Sequence, residues 1–191
     1  MIRVEQEPEP EGFDKTVRLP GAAALAAGTA QLPSHWRKCI PELLAAYNRV
    51  CAYSCFFIPR VVGGPSVEHF APKSRSRARA YEWSNYRLVC ALMNSRKNSF
   101  EDVLDPFEIE DGWFELEFLF FQVRPADGLD AQLTQAIDET IDRLKLNDEE
   151  CCQARIDWFE DWKLEGFSSG YMQRHAPFLF REAVRQGHRP T

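Results

Sequence analysis

Residues 67–74 read Val-Glu-His-Phe-Ala-Pro-Lys-Ser (VEHFAPKS), and the fold and chemistry of the whole chain turn on them. A carboxylate and an imidazole stand side by side at the end of an apolar run, followed by a proline and a series of basic residues. Alone, Glu68-His69 is no more than a surface pair. The positions downstream change that reading: Asn85 follows His69 by 16 residues, Asn94 follows Asn85 by nine, and Lys97 stands three beyond Asn94. Two short apolar runs, 56–62 and 67–70, flank Gly63-Gly64-Pro65 and read as strands joined by a turn. Residues 73–84 are polar and basic and read as a loop. A further strand is expected at 86–89 and a helix at 91–97. The polar residues then fall at the working ends of a strand, a loop, a strand and a helix in order.

Phosphodiester hydrolysis asks for such a set. Glu68 offers a carboxylate and Asn94 an amide oxygen, hard donors suited to Mg²⁺ (or Mn²⁺), which keeps several of its waters. His69, neutral at physiological pH, can take the proton from an attacking water. Because neighbours on a strand point to opposite faces, the strand is expected to end or bulge at Glu68-His69. Asn94 and Lys97 share a helix face, so Lys97 is expected to reach a phosphate beside the metal. Asn85 is expected to bond loop backbone and hold the basic loop over the site. The net charge of −6 argues against a general nucleic-acid binder, yet residues 73–97 reverse it, with seven Lys and Arg against Glu82 alone. Lys73, Arg75, Arg77, Arg79 and Arg96 are the expected phosphate contacts.

Three stretches, Glu-His-Phe-x-Pro-Lys-Ser, Trp-Ser-Asn-Tyr-Arg-Leu-Val-Cys and Asn-Ser-Arg-Lys-Asn, together resemble the HNH, or ββα-metal, nuclease family over residues 51–98. The resemblance implies a metal-dependent endonuclease acting on DNA and leaving 5′-phosphate and 3′-hydroxyl ends. Glu68 and Asn94 would hold the metal, His69 would be the general base and Asn85 would be structural. Many members of that family frame the motif with two Cys-x-x-Cys pairs that bind zinc. Here Cys51 is followed by Ser54, with Cys55 one residue late, and Cys90 by Met93, so no structural zinc is expected and these residues are read as packed apolar groups. The overall plan is similar to stand-alone bacterial HNH proteins, some of which work in anti-phage systems of the Septu type, beside an ATPase. DNA and an ATPase partner are the associations this implies. The rival readings are a non-catalytic module that keeps the fold for binding, and a nuclease silent until its ATPase presents the substrate.

The remainder of the chain frames this motif. Its 191 residues, 45% hydrophobic, favour one domain. The expected fold is α+β and mainly helical. Residues 1–33 read as an extended arm turning at Pro20-Gly21. Residues 34–191 read as a single domain, with the ββα core at 51–98 and a hairpin and helical half at 99–191. A helix is expected from Ser34 to about Val50 with an irregularity at Pro41, and a hairpin over 107–123 turning at Asp111-Gly112. A helix carrying Leu133, Ile137, Ile141 and Leu144 is expected next, then one opening at Asn147 and a short last one at 178–186. Neither a signal peptide nor a membrane anchor is legible, which points to a cytoplasmic protein with its six cysteines reduced.

Overall fold

The computed structural model describes residues 1–189. Among them the fold is α+β, with seven α-helices and two separate two-stranded antiparallel sheets. The chain forms two compact units: Glu5–Arg49 with Ile58–Glu101, and Met1–Val4 with Val50–Phe57 and the chain from Asp102 onward.

The first unit begins with a helical stretch where the sequence suggested an extended arm. A π-helical turn, Asp14–Arg18, runs into α1, Leu19–Ala26. The Pro20-Gly21 pair reads locally as a turn, but proline is tolerated in a first helical turn, where its missing N–H has no partner to lose. Gly21 is there for packing: a Cβ on it would lie 2.1 Å from the ring of Tyr81. Next comes a 3₁₀ turn, His35–Cys39, and then α2, Ile40–Ala46, with Pro41 again in the first turn, so one long helix from Ser34 does not form. Asn48 and Arg49, both at positive φ, take the chain out of it.

No strand forms over 56–62; Phe57 makes only an isolated bridge to Val50, and the backbone turns with Gly63 N–H donating to the Pro59 carbonyl. The sheet consists of β1, Pro65–His69, antiparallel to β2, Tyr86–Cys90, with Val67 opposite Leu88, Glu68 opposite Arg87 and His69 opposite Tyr86. β2 passes without a linker into α3, Ala91–Lys97. This ββα arrangement is anchored from beneath by Phe13, Tyr47, Trp83 and Tyr86, whose rings lie 5.7–6.4 Å from their partners in three contacts, Phe13–Trp83, Phe13–Tyr86 and Tyr47–Trp83. Trp83 also donates its indole N–H to the Glu7 carbonyl at 2.8 Å.

In the second unit the hairpin is shorter than expected and turns elsewhere. β3, Phe114–Leu116, pairs with β4, Val123–Pro125. The connection is 117–122 rather than Asp111-Gly112, because the Glu117 carboxylate accepts the N–H groups of Leu119, Phe120 and Gln122 and closes the turn with a side chain. Helices α4 (Ala131–Leu144), α5 (Glu149–Lys163), α6 (Ser169–His175) and α7 (Pro177–Arg185) complete it. Asp130, Asp148 and Ser168 cap the first three with side-chain oxygens. Asn147, read as the α5 cap, instead bonds both backbone groups of Val123 and ties α5 to β4. No helix among the described residues is long and apolar enough to cross a membrane.

Candidate functional site

β1 ends at His69, and that ending sets the site. Glu68 and His69 are both buried, 1% and 5% exposed, yet both line an open cavity of about 750 Å³ whose wall also includes Ser66, Lys73, Asn94, Trp36 and Arg37. All of these belong to the first unit.

His69 is held in one tautomer. Its Nε2 lies 2.9 Å from the Ala80 carbonyl, which can only accept, so Nε2 carries the proton and Nδ1 the lone pair. The same carbonyl accepts the Tyr86 hydroxyl at 2.9 Å. Trp36 meets the imidazole edge-on with ring centroids 4.8 Å apart, and Tyr86 does so at 5.1 Å. On the Nδ1 side stands the Lys73 ammonium, 3.4 Å away. Burial first and the Lys73 charge second lower the His69 pKa to about 3, against the hydrogen bond to Ala80, so the ring is neutral at physiological pH. Burial likewise lowers the Lys73 pKa, opposed by Glu68 and reinforced by Arg37.

Glu68 accepts the Lys97 ammonium at 3.0 Å. Lys97 is fully buried and donates also to the Phe70 carbonyl at 2.8 Å. The expected reach of Lys97 to a phosphate is therefore corrected: it lies beneath the cavity wall and neutralises Glu68. Asn94 does line the cavity, its amide N–H donating to the Ser66 hydroxyl at 2.7 Å, which leaves its oxygen as the face of the amide able to meet a cation.

Asn85 is buried behind the site. Its side chain accepts from Ala71 N–H at 2.7 Å and donates to the carbonyls of Ala71 and Arg79, at 3.1 and 3.0 Å. One amide thus ties Ala71, just before the basic loop, to Arg79 within it, and the Asn85 carbonyl accepts Phe70 N–H where β1 ends.

The basic residues divide. Lys73 is at the cavity. Arg75 is exposed and pairs with Glu101 at 3.3 Å. Arg77 is tied to the carbonyls of Thr29 and Ala30. Arg79 is exposed, and Arg96, half-buried, sits on α3. Sequence reading missed Trp36, Arg37 and Ser66. The first two reach the cavity from a 3₁₀ turn some thirty residues upstream, and no spacing rule connects that turn to the Glu-His pair.

Among the described residues no three of His, Cys, Asp and Glu converge in a cluster that could hold a metal ion. The oxygen donors lining the cavity are instead the Glu68 carboxylate, the amides of Asn94 and Asn98, and the hydroxyls of Ser66, Ser74 and Ser99. Such a set fits a hard divalent cation that keeps most of its waters, and does not fit zinc, which draws on thiolates and imidazoles. The six cysteines are free thiols: Cys51 and Cys55 are buried in the second unit, and Cys90 closes β2 in the first. No protein-family model matches the chain, and no curated protein matches it.

Proposed function

We propose that this protein is a metal-dependent endonuclease of the HNH type that hydrolyses phosphodiester bonds in DNA. The observation that carries the reading is the orientation of His69: one nitrogen is fixed by a backbone carbonyl, and the other presents its lone pair to a cavity shared with Glu68 and Asn94. A general base needs that arrangement, since the lone pair must face the water and the opposite N–H must be stabilised as charge develops on the ring. Nδ1 takes the proton of the attacking water as the new P–O bond forms and the bond to the 3′-oxygen breaks, leaving 5′-phosphate and 3′-hydroxyl ends. The Ala80 carbonyl stabilises the resulting imidazolium. Glu68 and Asn94 would hold Mg²⁺ or Mn²⁺, which when bound would polarise the phosphate and stabilise the leaving oxygen. Lys73 and Arg37 supply positive charge to the cavity lining, where the Lys73 ammonium lies over the Trp36 ring.

The test is plasmid nicking with Mg²⁺ or Mn²⁺. The His69→Ala variant should lose about 10²–10⁴-fold in rate, the usual worth of a general base. Equal nicking by both proteins removes His69 from the chemistry. A protein inert alone and active with an ATPase partner would place it in a defence complex. That reading is favoured by one observation: Glu68 is already neutralised by Lys97 in the free chain.

A further inference from the structure

The nitrogen assigned to receive the water proton already has a donor. Because Nε2 of His69 carries the ring proton, the contact of Lys73 Nζ with Nδ1 at 3.4 Å is an ammonium donating to a lone pair. Lys73 is placed there by its surroundings. Its ammonium sits 4.9 Å from the centre of the Trp36 ring, and the turn that carries it is closed by Arg75 and Ser76 N–H groups donating to the Pro72 carbonyl. A water cannot be deprotonated by Nδ1 while that contact stands.

The contact is also easily exchanged. Lys73, Trp36 and Ser74 line both the cavity that holds His69 and a second cavity of about 310 Å³, so the lysine side chain borders open space beyond its contact with His69. Its bond to a neutral imidazole is long, at 3.4 Å, whereas an ammonium bound to an anionic oxygen sits at about 2.7–2.9 Å and adds the Coulomb attraction of two opposite charges. An anionic phosphodiester entering the cavity therefore outcompetes the imidazole for the lysine.

We propose that Lys73 caps the His69 lone pair in the substrate-free protein and passes its ammonium to the incoming phosphate, so that the base is released only when a phosphodiester occupies the cavity. This rests on His69 being the base. It gives Lys73 a role that a solvated basic loop does not require: it contacts the reacting phosphate and couples the arrival of substrate to the freeing of Nδ1.

The experiment is nitrogen-15 NMR of the His69 ring in the full chain with chelator present, so that nothing turns over; the resonance is assigned by its loss in His69→Gln. In Lys73→Met, which keeps the side-chain length against Trp36, the Nδ1 signal should move downfield as its donor disappears. In the unaltered protein a thymidine dinucleotide joined by a phosphodiester should move it in the same direction, while the uncharged methylphosphonate analogue should leave it in place. An Nδ1 signal identical in Lys73→Met and the parent protein overturns the proposal, as does an equal response to the charged and uncharged dinucleotides. The dinucleotide arm needs no substitution and so survives a variant that fails to fold. The spectrum is also separate from the nicking test: loss of nicking in His69→Ala with an unmoved Nδ1 signal overturns the lysine transfer alone.

Discussion

The two units use buried polar side chains in different ways. In the second, Thr140, Arg155 and Glu182 hold the local fold: Thr140 accepts Leu104 N–H, Arg155 donates to the carbonyls of Phe121 and Leu146, and Glu182 accepts Leu116 N–H and pairs with Arg185. None of the three lines the cavity of about 310 Å³ walled in that unit by Phe118, Phe121, Phe159, His188 and four other residues. In the first unit Glu68, His69 and Lys97 are just as buried, but Glu68 and His69 also face an open cavity. A buried polar group whose partners are main chain and neighbouring side chains is explained by folding. One that is buried and still faces solvent space carries a desolvation cost that packing does not require, and that separates a chemical site from a structural one.

Exchanging one residue from each class should expose this difference most strongly. His69→Ala should lose about 10²–10⁴-fold in hydrolysis and keep its fold, since Asn85 still holds the loop through Ala71 and Arg79. Arg155→Met should do the reverse, leaving the specific activity of the folded fraction unchanged while stranding two buried carbonyls, at about 1–3 kcal/mol each by urea unfolding. If Arg155→Met abolished turnover in protein still folded, the contrast would fail.

The Glu68–Lys97 pair should give the next effect. Removing one partner of a buried ion pair costs about 3–5 kcal/mol, whereas replacing both by neutral groups of similar volume is often close to neutral. Lys97→Met should therefore lower stability by about that amount, and adding Glu68→Gln should restore most of it. If the double variant were no more stable than the single one, the ammonium would be acting chiefly through its bond to Phe70.

Metal affinity tests the same pair more gently. With the Glu68 charge compensated by Lys97 and Lys73 close to His69, a divalent cation alone meets little net attraction. A bound phosphodiester supplies the missing negative charge. Calorimetric titration of Mn²⁺ should show weak binding to the free protein, tightened about tenfold by a non-cleavable oligonucleotide, within the usual range of coupling between sites. Equal affinity with and without the oligonucleotide would separate the metal from the substrate.

Much of the ββα arrangement was legible because its signals are local. Gly63-Gly64-Pro65 marks a turn just before β1, although the strand expected ahead of it at 56–62 does not form; apolar residues mark 67–70 and 86–89, and α3 begins where β2 ends. What was not legible depended on partners distant in sequence. Asn94 and Lys97 are three residues apart and read as one helix face, yet Asn94 meets the cavity and Lys97 meets Glu68, and only the position of β1 decides between them. The hairpin turn was misplaced for a related reason: Asp111-Gly112 is a good backbone turn signal, but the Glu117 side chain closes a different one. Trp36 reads in the sequence only as part of a helical face and Arg37 carries no signal, since a five-residue 3₁₀ turn is too short to show its three-residue period.

The smallest effect concerns the layer beneath Trp36. Cys39 is buried and its thiol donates to the Trp36 carbonyl at 3.0 Å. Burial, helped by Glu42, pushes its pKa up from 9.0 to about 12. The folded state thus prefers the neutral thiol. Its contribution to stability is complete below pH 9, where both states keep the proton, and is lost as pH rises from about 9 to about 12, where the unfolded chain ionises first. Because Tyr and Lys residues titrate over the same window, the quantity to measure is the stability of the parent protein minus that of Cys39→Ala. That difference should be level from pH 7 to 8.5 and then shrink by about 1 kcal/mol per pH unit in alkali. A difference that stayed level to pH 11 would mean that solvent reaches the thiol, and that the layer supporting Trp36, and through it Lys73 and His69, is looser than its burial implies.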